Sequence, residues 1–353
     1  MTHQELPSYD QAPAGAIRFN TDSRKLEVYT GGPVGYGTLP NGQWMQVDSF
    51  TPDIATGGTR GVFGGGGYPT TVVTIDYVTI STTGNALDFG DLNDESRFLG
   101  ACSSNSRGIF AGGYSPSPIS AAIDTIEFIT IASTGGATDF GDLTRSNWGL
   151  SGCSNKTRGV FSGGGPTIVD TIDYITIAAA GAAQDFGDLI AATNASAGCS
   201  SSTRGIIAGG VAPGNTNTIN FITISTLGNA ADFGDLTSPR ERLAGCSSST
   251  RGVFGGGAPD PSGVNIIEYI TITSLGNAVD FGDLTQTRTD LGACSSSTRG
   301  VFGGGDAGAA SLRNVDTIDY VTINSTGNAV DFGDLFEGRG EGVSALSNGH
   351  GGL

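Results

Sequence analysis

Histidine is almost missing from this 353-residue chain, which has only His3 and His350. Copper-radical chemistry needs several imidazole ligands, and a Ser-His-Asp hydrolase would have to be built on His350, so neither enzyme class is expected. An arginine triad with Asp-box repeats, the equipment of a sialidase, is also missing. The reading is therefore of a non-enzyme without cofactor. Basic residues are scarce, 17 against 34 acidic, for a net charge of −17. Phosphate backbones are bound by clustered Lys and Arg; no such cluster occurs, and nucleic acid is not an expected partner. An acidic membrane surface would repel the chain. No apolar run is long enough for a transmembrane helix. The first residues, MTHQELPSYDQAPAG, lack the basic and apolar regions of a signal peptide, which points to a soluble protein made in the cytosol.

Cysteine is limited to Cys102, Cys153, Cys199, Cys246 and Cys294, with neighbours 46 to 51 residues apart. A series of single, evenly spaced cysteines is not a disulfide framework; packed thiols fit it better. The same spacing recurs elsewhere. Arg60, Arg107, Arg158, Arg204, Arg251 and Arg299 mark one series. The segment DFGDL, beginning at Asp88, Asp139, Asp185, Asp232, Asp280 and Asp331, marks another. A period of about 47 residues is that of a four-stranded propeller blade. Glycine, at 59 residues, far exceeds its usual share and clusters at turns and strand ends.

Each repeat reads as four short strands, here lettered a to d. In the last full repeat they are LGACSSS at 291–297, TRGVFGGG at 298–305, TIDYVTI at 317–323 and NAVDFGDL at 328–335. Strand c is apolar on both faces, Ile172 and Tyr174 on one and Ile175 and Ile177 on the other, as expected of a sheet packed between two others. Gly-Asn at Gly84, Gly228, Gly276 and Gly327 is a hairpin signal between c and d. This predicts an all-β propeller with six repeats over 51–340. Strand a occurs once too often, at 51–58 and again at 341–349. AIRFN (16–20), KLEVYT (25–30) and QWMQV (43–47) could supply strands b, c and d of a further blade, closed by the last strand a. Seven blades are therefore expected, which would leave no free edges; six blades plus a separate N-terminal β-meander over residues 1–50 is the alternative. Residues 341–353 carry the closing strand in the first scheme.

Several motifs reduce to the repeat itself. DFGDL recurs six times without the other signatures of a kinase, and the runs Gly64–Gly67 and Gly303–Gly305 lack the GK[ST] ending of a phosphate loop. Asp76, Glu127, Asp173, Glu268 and Asp319 form an acidic ring, broken by Asn220. With the arginine ring on strand b they suggest structural ion pairs within or between blades. No EF-hand spacing supports calcium. The repeats differ most in the loops between b and c: 112–122, 209–217, 256–265 and 304–316. These share a face with the d–a connections. Regular strands with variable loops are how scaffolds carry binding surfaces. Tyr68 and Tyr114 in b–c loops, and Trp148 in a d–a loop, are candidates to stack on sugar rings.

The strand grammar, with a Gly doublet ending b and an aromatic residue in d, resembles kelch repeats; Phe89, Phe140, Phe186, Phe233, Phe281 and Phe332 stand where kelch usually has Trp. Residues 14–47 (AGAIRFNTDSRKLEVYTGGPVGYGTLPNGQWMQV) resemble a segment common in bacteriophage tail-fibre and other virion proteins: Gly15 to Thr21, Lys25 to Tyr29, then Gly42 and Trp44, spaced one residue closer than usual. The repeats, with TIDYITI, GNAxDFGDL and CSSSTRG, are similar to those of phages of marine bacteria and cyanobacteria. The resemblance implies a virion structural protein, a tail-fibre, tail-tip or capsid-fibre component, made in the host cytoplasm. It would present the propeller for attachment to a host-surface glycan. Other virion proteins, and further copies of the chain in a homo-oligomer, would be its partners. A capsid or tail decoration protein without ligand, and a cellular lectin-like kelch protein, are the alternatives.

Overall fold

The computed structural model describes residues 17–20, 25–29, 44–46, 59–67, 69–116, 120–259, 263–308 and 314–353. Contacts divide the chain into two units, Met1–Thr56 and Gly57–Leu353. The first contains a three-stranded antiparallel meander, Ile17–Asn20, Lys25–Tyr29 and Trp44–Gln46, whose strands pair with one another.

The second unit is a β-propeller of six four-stranded blades. In the first blade, strand a is Ser344–Ser347, followed by Arg60–Gly64, Thr74–Thr79 and Leu87–Asp91. The second blade runs Gly100–Ser103, Arg107–Ala111, Ala121–Thr130 and Thr138–Asn147. The third, fourth, fifth and sixth begin with Ser151–Ser154, Ala197–Ser200, Ala244–Ser247 and Gly292–Ser295. The expected seventh blade is not formed. The three N-terminal strands make their own sheet, and 344–347 pairs directly with Arg60–Gly64, setting Ser344 opposite Gly64 and Ser347 opposite Gly61. One strand from the far end of the sequence thus completes the first blade and closes the ring at six. The competing strand a at 51–58 lies outside the described residues.

Strand c is buried on both faces, as its sequence demands: Ile172 and Ile175 both lie in core clusters. Each cluster mixes residues of two consecutive blades. Cys153, Val160, Ile172 and Phe186 of the third blade, for example, meet Ile207 and Ile222 of the fourth. All five cysteines are free and buried. Each sits over the glycine after the strand-b arginine of the next blade, so a Cβ on Gly159 would come within 2.6 Å of the Cys102 sulfur. Burial pushes the Cys153 thiol up to about 12.

The c–d turns, Gly-Asn in four of the six blades, do more than turn the chain. Gly135 and Ala137 donate backbone hydrogen bonds to Phe89 and Asp91 of the preceding blade's strand d. The same pair of bonds recurs at every junction, ending with Gly84 to Phe332 and Ala86 to Asp334. The outer edge of each blade is thereby covered by its neighbour, a direct answer to the free-edge problem. The approach is close enough to explain the glycine of DFGD: a Cβ on Gly90 would lie 2.5 Å from the carbonyl carbon of Gly135.

Candidate functional site

The arginine ring and the acidic ring of the sequence take separate partners. Arg60 donates through Nη1 to the Ile131 carbonyl of the next blade at 2.8 Å, and Arg107, Arg158, Arg204, Arg251 and Arg299 do the same to Ile177, Ile224, Ile272, Ile323 and Ile80. Each guanidinium also lies over an aromatic ring of its own blade, Arg251 over Tyr269 at 4.2 Å. The repeated arginines therefore staple blades together without meeting the acids, contrary to the pairing expected from the sequence.

The acids use another device. Glu268 and Asp319 accept hydrogen bonds from the Thr237 and Thr285 amides of the preceding blade, and Asp76 from the Phe336 amide. Three fully buried arginines, four residues past the DFGDL leucine, complete these junctions. Arg240 pairs with Glu268, Arg288 with Asp319 at 2.5 Å and Arg339 with Asp76 at 2.5 Å. The other three junctions carry Ser96, Asn147 and Thr193 there. Asn147 Nδ2 donates to the Gly163 carbonyl at 2.6 Å, the counterpart of the Arg240 bond to Gly256. Asp173 accepts instead from Thr144, through its amide at 3.0 Å and its hydroxyl at 2.8 Å. Glu127 accepts from the Asn93 amide at 3.3 Å. Burial raises the pKa of both carboxyls against these hydrogen bonds. The sequence hid this set because arginine fills the position in only half of the repeats.

The propeller axis is encircled by hydrogen bonds at both ends. On the a–b side, Ser103, Ser154, Ser200, Ser247, Ser295 and Ser347 form a ring in which each hydroxyl donates to the preceding serine's carbonyl; Ser154 to Ser103 is 2.8 Å. Residues 348–353 turn into this ring. Gly351 donates to the Ser247 carbonyl at 3.0 Å, and His350 Nε2 stands 3.2 Å from the Ser103 carbonyl and 3.3 Å from Ser154 Oγ. The space left there is about 50 Å³.

On the opposite side, where the b–c and d–a loops emerge, a backbone chain runs round the axis. Gly149 donates to Phe98, Ala195 to Gly149, Arg242 to Ala195, Asp290 to Arg242, Val343 to Asp290 and Phe98 to Gly342. Phe98, Ala195, Arg242 and Asp290 adopt φ between 56° and 59° to make this ring, a conformation costly for non-glycine residues. Asp290 is buried, with Thr289 Oγ1 at 3.0 Å and Arg242 Nη1 at 3.5 Å. Burial holds its carboxyl up at about 6 against the pull of Arg242 and of the Thr289 hydroxyl.

The proposed sugar-stacking aromatics divide. Tyr68 lies outside the described residues. Tyr114 and Trp148 are brought to one patch of the loop face, joined through Arg97 and Phe98. The Arg97 guanidinium lies 5.2 Å from the Tyr114 ring and 5.5 Å from the Phe98 ring, Phe98 meets Trp148 at 5.5 Å, and Arg97 bonds Glu341 at 2.5 Å. The Tyr114 hydroxyl is 2.8 Å from Ser120 Oγ. Both rings are half-buried and take part in packing around a cross-blade ion pair. Among the described residues no group of three His, Cys, Asp or Glu side chains converges on a metal position, and no helix is long and apolar enough to cross a membrane.

No protein-family model matches this chain. A comparison with curated proteins also finds no match.

Proposed function

We propose that this chain is a phage virion protein whose kelch-like propeller attaches the particle to a host surface through the face bearing the b–c and d–a loops. The observation that carries this reading is the contrast between frame and loops. The same junction bonds repeat six times around the ring, and both ends of the axis are encircled by the chain's own hydrogen bonds, whereas the loop face differs from blade to blade. A rigid scaffold with one variable face is suited to recognition. The likeness of residues 14–47 to virion segments supports the setting, and the propeller would be carried to the particle surface by that unit.

The test is immunogold labelling of purified particles, followed by adsorption of the isolated protein to host cells. Label at the tail or fibres together with cell adsorption supports attachment. Label absent from particles, with the protein present in infected cells, overturns the virion reading.

A decoration or assembly role is favoured by one separate observation. Leu87, Val279 and Val330, at the same position of strand d in three successive blades, are each more than half exposed, as are Leu227 and Leu275 on adjacent c–d turns. Apolar side chains on the outside of four neighbouring blades fit contact with another virion protein. Scattered capsid label without cell adsorption would support this second role.

A further inference from the structure

Among the described residues, one recess on the loop face lies away from the aromatic patch. A groove of about 520 Å³ opens between the fourth and fifth blades, with Pro213, Gly214 and Asn215 on one side, Pro259 on the other, and Pro239 and Glu241 from the connecting d–a loop. Small-molecule sites commonly fall in this size range. Its walls are built in advance. Asn215 Nδ2 donates to the Ala258 carbonyl at 2.8 Å, tying one b–c loop to the next. Glu241 and Ala258 exchange backbone bonds at 3.2 and 2.9 Å, and Val211 and Asn194 do so at 2.8 and 3.2 Å. The prolines add fixed φ values.

The lining selects a chemistry. Three pyrrolidine rings offer C–H faces, and one carboxylate offers two oxygens; the Arg242 Nε is 3.7 Å from Glu241 and leaves that carboxylate partly exposed. A purely apolar ligand would strip water from Glu241 and give nothing back. An anionic ligand would meet Glu241 and a chain of net charge −17. An uncharged ring with C–H groups on its faces and hydroxyls on its rim answers both demands. We infer that this groove is the saccharide subsite of the loop face, in which a neutral pyranose packs on the prolines and donates two neighbouring hydroxyls to the Glu241 carboxylate. The inference rests on the attachment reading above.

The test compares intact wild-type protein with Glu241→Gln, and with Lys156→Gln, an exposed residue on the a–b side, as a control. Adsorption to host cells is measured with and without free neutral hexoses and N-acetylhexosamines, and saturation-transfer NMR is run with the same sugars. The expected result is competition by a neutral sugar, with binding at least about tenfold weaker in Glu241→Gln and unchanged in Lys156→Gln. Adsorption that Glu241→Gln leaves intact, or that no neutral sugar competes with, overturns the groove and leaves attachment standing. Absence of wild-type adsorption removes the attachment reading, and if saturation transfer to every sugar is also absent, the groove falls with it.

Discussion

Single residues in this propeller are judged by the five equivalents each one has. Ser196 occupies the position held elsewhere by Leu99, Leu150, Leu243, Leu291 and Val343, each of which joins a core cluster between blades. The corresponding cluster between the third and fourth blades has no member there. Ser196 is buried with a hydroxyl that finds no partner, as is that of neighbouring Thr193. Leucine at 196 would fill the gap and remove one unpaired group, so Ser196→Leu is expected to stabilise by about 1–2 kcal/mol, read as a raised midpoint in denaturant. A lowered midpoint would mean that the site cannot take the volume. The reverse case is Gly187, where φ is 145° and a Cβ would lie 2.7 Å from the Gly228 carbonyl of the next blade. Gly187→Ala should cost on the order of 2 kcal/mol or more, since strain and a backbone collision act together; a neutral outcome would show that the blades can separate locally.

At the scale of strands and junctions, the two halves of the ring are held differently. Three junctions carry a buried arginine on the acid and three do not. Asp173 belongs to the second kind, and Asn220 occupies the same position at the following junction, so the chain already shows that an amide is accepted there. Because burial raises the Asp173 pKa, its contribution to stability is greatest at low pH and is lost as pH rises through the folded value. Asp173→Asn should therefore raise the melting temperature at pH 7 and have little effect near pH 3. Asp319→Asn should act in the opposite sense, by about 3–5 kcal/mol, because it leaves Arg288 buried without a counter-charge. Equal effects of the two substitutions at pH 7 would refute this distinction. The sequence made the strands legible, since two markers shared one period and strand c was apolar on both faces. It did not reveal the junction arginines, which only half of the repeats possess. It presented the Gly-Asn turns as local hairpin signals, although their amides bond across blades. The expected seventh blade does not form and the six-blade alternative holds, because 16–47 has genuine strand patterns, and local pattern does not say which sheet a strand joins. Of the candidate site, the loop face was legible from its variability; the proline groove was not, because its walls come from three separate loops that only the packing of two blades brings together.

For the whole molecule, the two ends of the axis respond to acid with opposite sign. His350 is locked as one tautomer: Gly352 N–H donates to Nδ1 at 3.1 Å, so the ring proton sits on Nε2, facing Ser103 and Ser154. The pocket beside it is lined by the ring serines, Leu346, small Ala and Gly residues and the five cysteines, whose thiols burial pushes upward. Burial lowers His350 from 6.5 to about 4. The unfolded chain then holds more protons on this group between those values, and the stability it contributes is present above about pH 6.5 and lost as pH falls towards 4. Asp290, at the other end, is raised from 3.8 to about 6; its contribution is present below about pH 3.8 and lost as pH rises through 6. Each shift corresponds to something on the order of 3 kcal/mol, so the two slopes oppose one another between pH 4 and 6. Melting curves across that window should show Asp290→Asn gaining stability relative to wild type as pH rises, and His350→Gln gaining it as pH falls. Three parallel curves would mean that neither group is buried in the folded protein. A response in His350→Gln alone would leave the serine-ring end intact as described and place the error at the loop-face ring, where four non-glycine residues hold left-handed backbone around the axis.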